Sequence, residues 1–228
     1  GPIIQTLSIK SLKSAIYLGG VVTVVDASNI LAQLDRFHEA GEQIGHADLL
    51  LLNKIDLVDE VAIARLQMRL TAINGMAKIL IRQGASDAVA EIFDLPVARR
   101  SDAEVIAFKT RTGNVHRHAH LDQVRSFVVQ LSAPLDQGQV QDWFSYLIMR
   151  HTERLLRYKG ILNFEGIEKR VVLQGVHGLL EIRADRDWLP AEARMTTVVF
   201  IGKDLPEQDF REGLARCIAT GEPAAQFI

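Results

Sequence analysis

Short apolar runs alternate with segments of helical periodicity between residues 20 and 95, and this alternation limits the fold more than any other feature. Three runs predict strands, at residues 21–25, 48–52 and 77–82. The first is continuous and β-branched, which indicates a strand covered on both faces. Strands that alternate with helices predict a parallel sheet, whose ligands bind beyond the carboxyl ends of the strands.

Two helices are predicted between these strands. The first begins near Ser28 or Asn29, either of which can cap it, and its apolar positions share one face: Ile30, Leu31, Leu34 and Phe37. The second runs from about residue 60 to residue 74, and Gly75 is placed to close it. Its predicted buried positions are Ala62, Leu66, Leu70 and Ile73.

The second half of the chain has a different pattern. Periodicity is lost around residues 96–121, which indicates an interdomain linker. A strand is then predicted at 124–131, a long amphipathic helix at 137–154, and a closing helix at 207–219. Further strands are predicted around residues 156–164, 171–173, 178–182 and 196–201. We therefore expect an α/β part at residues 1–98, a histidine-containing linker at 99–121, and an α+β domain at 122–228 whose antiparallel sheet is covered on one face.

Composition narrows the class of protein. The chain has 26 basic and 28 acidic residues, so nothing in its charge favours a nucleic-acid partner. No apolar run approaches the length of a membrane span, and no signal peptide is recognisable. A single cysteine, Cys217, excludes a disulfide within the chain and fits a reducing compartment, so we expect a cytoplasmic protein. The chain does not begin with methionine, from which we expect a piece of a longer protein.

The turn Asn53-Lys54-Ile55-Asp56 follows the second predicted strand and has the N-K-x-D pattern by which GTP-binding proteins distinguish guanine from adenine. A carboxylate at Asp56 can accept hydrogen bonds from the ring N–H and the exocyclic amine of guanine. Adenine has no matching pair of donors, so it would leave the charge unpaired. Lys54 can lay its methylene stem along the base while its ammonium stays in water, and Asn53 can tie neighbouring loops together. The alternative is an ordinary polar turn before a capped helix.

Other parts of a nucleotide site are only partly present. Gln83 and Gly84 end the third predicted strand and would face the same crevice. The 228 residues contain no G-x4-G-K-S/T phosphate loop, since Gly19-Gly20 lacks the lysine and precedes a strand rather than a helix. Asp26 ends the first strand, but a helix cap or turn is the expected role rather than magnesium binding. The sequence thus predicts a base-reading element without residues for phosphoryl chemistry, and no catalytic residue is predicted.

The order of these segments resembles the CobW-type GTPases, which are P-loop proteins regarded as metallochaperones or metal-insertion factors. The resemblance covers essentially the whole chain. It rests on the segments at 20–27, 43–48 and 51–57 and, in the second half, on Arg157-Tyr158-Lys159-Gly160, Gln174-Gly175-Val176, Trp188, Arg194 and Val199-Phe200-Ile201-Gly202.

The resemblance implies a function and a missing part. Residues 1–98 would be the distal part of a P-loop GTPase domain, and about the first third of the protein, with its phosphate loop and C-x-C-C metal motif, would be absent. Guanine recognition carries over to Asn53, Lys54 and Asp56. GTP and Mg²⁺ would serve the intact protein, zinc or cobalt would be its cargo, and a client metalloprotein its partner. The chain alone is expected not to hydrolyse GTP.

An H-x-H-x-H pattern lies in the predicted linker, at His116, His118 and His120. In an extended segment alternate side chains fall on one side, so three imidazoles can converge on a zinc-like ion. A solvated linker with three unrelated histidines is the equal alternative, and no fourth ligand is evident. Any affinity is expected to be weak, because a loop must be ordered on binding.

Several other residues are predicted to have structural roles, or have two alternative roles that the sequence does not separate. Arg157, Lys159 and Arg170 predict either a solvated basic strip on the second sheet or a contact with the nucleotide domain or a client. A loop or capping role is expected for His46, and a buried apolar role for Cys217. The alternative overall function is a non-enzymatic client-docking or metal-buffering module. The oligomeric state is not predicted.

Overall fold

A parallel and an antiparallel sheet divide the chain. The computed structural model describes residues 19–81, 124–176 and 178–220. Its first sheet has the order β1-β2-β3, all parallel. The strands are β1 (Val22–Asp26), β2 (Leu49–Asn53) and β3 (Lys78–Ile81), and the helices between them are α1 (Ile30–Leu34), α2 (His38–His46) and α3 (Glu60–Ile73). The predicted order of alternating strands and helices is confirmed.

The burial of side chains in this sheet depends on where each strand lies in it. The central strand β2 buries Leu49, Leu50 and Leu52 completely. On β1, which lies beside β2 alone among the described strands, Val25 is buried whereas Val24 is 61% exposed. The prediction that the first strand is covered on both faces is therefore wrong, because a β-branched run fits an edge strand as well as a central one.

The single helix predicted after β1 is also wrong. It is split into α1 and α2, and Phe37 is the extended residue that precedes α2, with 56% of its surface exposed. The split turns α2 toward the second sheet. Gly45 of α2 lies so close to that sheet that an added Cβ would come within 3.0 Å of Leu156 and 3.3 Å of Val124.

Helix α3 is framed by polar side chains at both ends. The Asp59 carboxylate accepts from the backbone N–H of Ala62 at 2.7 Å, which caps the first turn. At the other end the fully buried Asn74 replaces the predicted glycine closure. Its amide donates to the carbonyls of Ile44 and Ala47 at 2.7 and 2.9 Å, and its oxygen accepts from two backbone N–H groups, those of Met76 and Ala77. Asn74 thereby joins the end of α3 to the end of α2.

The second sheet is antiparallel throughout, in the order β4-β8-β5-β6-β7, which confirms the predicted α+β domain. Its strands are β4 (Val124–Leu131), β5 (Leu155–Leu162), β6 (Lys169–Val176), β7 (Leu179–Asp187) and β8 (Thr196–Lys203). Helices α4 (Gln137–His151) and α5 (Glu207–Arg216) pack on one face.

That face has an aromatic core. The ring of Phe200 stacks on Phe127 at 5.5 Å and meets the edge of Phe210 from α5 at 4.9 Å. Tyr158 fills the space above Gly175, where an added Cβ would lie 2.0 Å from the Tyr158 ring. Only glycine can therefore stand opposite Tyr158 on β6.

The other face of the second sheet meets the first domain. Val124, Leu156 and Ile201 share a hydrophobic cluster with Ile44 of α2 and Leu66 of α3. The prediction that this sheet is covered on one face is therefore wrong for its β4, β8 and β5 strands. The continuous apolar run in β8, where Val198–Ile201 are all fully buried, is the pattern of a strand covered on both sides.

Candidate functional site

The carboxyl ends of β1 and β2 meet at one edge of the parallel sheet. Asp26 and Asn53 are paired in the strand register. The next residue, Ala27, donates its N–H to the carbonyl of Asn53 at 3.0 Å, which extends the pairing beyond the last strand residues. The turn after β1 and the N-K-x-D turn after β2 are thus held side by side, as expected for a site at the end of parallel strands.

Lys54 has an unusual backbone conformation. Its φ of 58° and ψ of 37° are left-handed, a conformation that costs a residue with a side chain about 1–2 kcal/mol. Its N–H is bonded to the Asn53 side-chain oxygen at 2.9 Å, so Asn53 holds the turn from within. The Lys54 ammonium lies 2.9 Å from Asp26 across the sheet edge. Strain of this kind, held by its neighbours, is common at binding sites.

Asp26 accepts hydrogen bonds from its own turn as well. The Ser28 N–H and hydroxyl donate to Oδ1 at 3.0 and 2.6 Å, and the Asn29 amide donates to Oδ2 at 3.1 Å. The Ser28 hydroxyl, the Lys54 ammonium and the Asn29 amide hold the pKa of Asp26 far below its usual range. The expected turn role of Asp26 is confirmed. Asn29 precedes α1 without a side-chain capping bond.

Asp56 is the contrasting carboxylate of this edge. It lies in a short 3-10 turn, Ile55–Leu57, and is exposed. Among residues 19–81, 124–176 and 178–220 no side chain or backbone group forms a hydrogen bond or ion pair with it. Two acidic residues thus stand at the same edge, one fully engaged and one open to solvent. An open carboxylate beside an anchored lysine is an arrangement that can accept paired N–H donors from a planar ligand.

Five predicted site residues lie outside the described part of the chain: Gln83, Gly84, His116, His118 and His120. Their predicted nucleotide and metal roles stay predictions. Within the described ranges, no group of three or more His, Cys, Asp or Glu side chains is arranged to hold a metal ion.

A second charged cluster lies at the opposite end of β2 and joins the two domains. Asp48 precedes the strand, and its carboxylate is bonded to the guanidinium of Arg157 and lies 3.1 Å from the Lys159 ammonium. Arg157 is 5% exposed and also donates to the carbonyl of His46, the last residue of α2, at 2.6 Å. Burial alone raises the pKa of Asp48, but Arg157 and Lys159 outweigh it, so the pKa lies below its ordinary value.

The solvated-strip reading of Arg157, Lys159 and Arg170 is therefore wrong. Arg157 and Lys159 instead contact the first domain through Asp48, which confirms the alternative prediction for these two residues. Arg170 is fully buried, lies 3.0 Å from the Glu192 carboxylate, and has its guanidinium carbon 5.6 Å from the centre of the Trp188 ring. An acidic residue at a strand entrance, such as Asp48, was the one signal in the sequence for this contact.

The remaining predicted roles are structural. His46 is the last residue of α2 and is buried, and Ala47 is the residue that caps the helix, so the predicted loop or capping role of His46 is wrong. Cys217 is 3% exposed, and burial raises the pKa of its thiol to about 11, which confirms a small apolar role. In the described part of the chain, no helix is long and apolar enough to cross a membrane.

Comparison with known families gives two matches in chain order. Residues 1–81 match the family described as "CobW/HypB/UreG, nucleotide-binding domain". Residues 124–218 match the family described as "Cobalamin synthesis protein cobW C-terminal domain". The second match spans the antiparallel sheet and both of its helices.

Individual relatives agree with this order. The zinc chaperone YjiA of Escherichia coli K12 is 33% identical over 216 residues, which cover 94% of this chain and 66% of the relative. The zinc chaperone CobW of a Sinorhizobium species is 25% identical, over 95% of this chain and 68% of the relative. The zinc-regulated GTPase metalloprotein activator 1 of Schizosaccharomyces pombe is 41% identical over 98 residues, which are 42% of this chain and 24% of the relative.

A solved structure has the same fold. The Zn(II)-bound YjiA GTPase from E. coli superposes with a TM-score of 0.80 at 32% identity, over 96% of this chain and 67% of that one. The chain thus spans about two thirds of the length of the relatives that it matches along most of its sequence.

Proposed function

The chain belongs to the CobW family, and from that premise we propose that it serves in a GTP-dependent metallochaperone that handles zinc. The observation that carries this proposal is the N-K-x-D turn at the carboxyl edge of the parallel sheet, with the Asp56 carboxylate open and Lys54 anchored beside it. Similarity to relatives named as zinc chaperones and to a GTPase with bound Zn(II) supports the cargo and the nucleotide.

Asn53, Lys54 and Asp56 would read the base. The Asp56 carboxylate would accept from the ring N–H and the exocyclic amine of guanine, and the left-handed Lys54 would present its methylene stem to the ring. Asn53 would keep the turn in shape through its bond to the Lys54 N–H. Gln83 and Gly84 would complete the base site from the end of the third strand.

Phosphate and magnesium chemistry is assigned to no residue of this chain. The sequence has no phosphate loop. The carboxylate at the end of β1, Asp26, is already occupied by Ser28, Asn29 and Lys54, so it does not fit a magnesium ligand. We propose that GTP hydrolysis gates metal transfer in a protein that has those elements, and we expect this chain alone not to hydrolyse GTP.

The remaining features of the proposal concern cargo and organisation. Zinc, or cobalt in its place, would be the ion delivered to a client metalloprotein in the cytoplasm, and His116, His118 and His120 would be a weak contact for it. The division into a nucleotide part at 1–98, a linker at 99–121 and a C-terminal domain at 122–228 belongs to the same proposal.

Base selectivity tests the proposal directly, and nucleosides isolate it from phosphate contacts. We expect saturation-transfer NMR with the chain to give about a hundredfold tighter binding of guanosine than of adenosine, the worth of the two hydrogen bonds to a charged group that adenosine cannot form. Asp56→Asn should reverse the donor pattern, so that xanthosine, which has a carbonyl in place of the exocyclic amine, is preferred over guanosine.

The matched control is Asp142→Asn, which removes an exposed carboxylate from α4, far from the sheet edge in sequence. It should leave the selectivity for guanosine unchanged. Equal binding of guanosine and adenosine by the unaltered chain would contradict the proposal.

A further inference from the structure

Asp26 is a carboxylate that base reading by Asp56 does not explain. It stands at the carboxyl end of β1, in register with Asn53, and it is held from two directions. Ser28 and Asn29 fix it from its own turn, and the Lys54 ammonium meets it from the neighbouring turn at 2.9 Å. Each oxygen of the carboxylate therefore has a partner, and its direction is set before any ligand arrives.

We propose that Asp26 is a positioning residue for guanine recognition: it holds the Lys54 ammonium at the end of β1 and so keeps the Asp56 carboxylate available to the base. This inference rests on the proposed function and adds a residue to its site. Asp26 does not touch the base in this account. It acts through Lys54.

The physical need for such an anchor follows from the turn itself. Lys54 and Asp56 are two residues apart on one exposed turn, and lysine has a flexible four-carbon stem. An ammonium released from Asp26 would find Asp56 as a neighbouring carboxylate. A carboxylate paired with that ammonium would have to give up the pair before accepting two N–H donors from guanine, which would weaken binding.

The solvent exposure of the Lys54–Asp26 ion pair indicates that it positions Lys54 rather than stabilises the fold. The Lys54 and Asp26 side chains are 52% and 26% exposed. Exposed ion pairs contribute little to folding stability. We therefore expect loss of this ion pair to change the position of the Lys54 side chain and to leave the folding stability almost unchanged. Because the pKa of Asp26 lies far below its usual range, the anchor stays charged at any pH near neutrality.

The test compares guanosine with inosine, which lacks only the exocyclic amine that Asp56 would accept from. We expect the chain to prefer guanosine by about tenfold, and Asp26→Asn to reduce that preference to about twofold, as Lys54 moves to Asp56. The double variant Asp26→Asn with Lys54→Met should recover the guanosine-to-inosine ratio, since no ammonium remains to occupy Asp56 and both nucleosides lose the contact with Lys54 alike. A purely structural role for Asp26 would not be rescued by removing Lys54.

Asp35→Asn is the matched control, because it makes the same change at another exposed carboxylate in an ion pair, which lies 3.5 Å from Arg69 and outside the proposed site. It should leave the guanosine-to-inosine ratio unchanged. An unchanged ratio in Asp26→Asn, or no recovery in the double variant, would overturn the positioning role while guanosine-over-adenosine selectivity still stood. Loss of that selectivity in the unaltered chain would instead overturn the proposed function and this inference with it.

Discussion

The two ends of β2 have the same kinds of side chain and opposite properties. At its amino end Asp48 is paired with Arg157 and Lys159 between two domains, and little of any of the three side chains is exposed. At its carboxyl end Asp26 and Lys54 pair at the surface, and Asp56 has no partner within the described ranges. A buried cluster whose groups are all satisfied fixes the position of the second domain. An exposed edge with one open carboxylate is suited to a ligand.

Stability should separate the two ends most strongly. Asp48→Ala leaves the Arg157 guanidinium buried without its carboxylate, and removing one partner of a buried pair costs about 3–5 kcal/mol. Lys54→Ala, the matched change at the exposed end, should lower the unfolding free energy by less than about 1 kcal/mol. Urea unfolding of both variants measures the difference, and similar losses would break the contrast between the two ends.

The second largest effect is expected in the pH dependence of stability at the buried, amino end of β2. The folded-state pKa of Asp48 is lowered, so its contribution to stability is present above its unfolded pKa, about 3.9, and is lost as pH falls through the folded value. The difference in unfolding free energy between the unaltered chain and Asp48→Asn should therefore be largest near neutral pH and shrink below about pH 4. A difference that stays constant from pH 6 to pH 3 would show that folding does not lower the pKa of Asp48.

The smallest expected effect is zinc binding, and we expect none at either end of β2. The described residues form no three-ligand cluster, so any weak zinc binding should depend on His116, His118 and His120. Calorimetry at neutral pH should detect it and show it fading below about pH 6 as the imidazoles protonate. Equal heats from the chain and its triple His→Ala variant would contradict this assignment, and binding lost in Asp26→Asn would place zinc at the sheet edge instead.

The sequence predicted the elements better than it predicted their surroundings. Apolar runs and helical spacing were enough for both sheets, the antiparallel domain and the N-K-x-D turn. They could not show that Phe37 leaves the helix or that Asn74 ends α3, because both depend on contacts with distant segments. The side on which β8 meets the first domain was also hidden, since a run of buried residues does not say what buries it.

The sequence predicted which residues belong to the candidate site but not how they are arranged in space. Asn53, Lys54 and Asp56 were chosen from their spacing in sequence, which contains no information on which carboxylate Lys54 meets. The pairing of Lys54 with Asp26 depends on the parallel register that sets Asp26 opposite Asn53. The expectation of a solvated strip at Arg157 and Lys159 failed for the same reason, because their partner Asp48 is more than a hundred positions away.

Chemical-shift mapping of guanosine on the ¹⁵N-labelled chain tests the central claim most directly, namely that the carboxyl edge of the parallel sheet is the base site. The account predicts shifts in the amides of residues 26–29 and 53–57, with those around Asp48 and Arg157 unmoved. Shifts centred on the Asp48 end of β2, or on the antiparallel sheet, would contradict it.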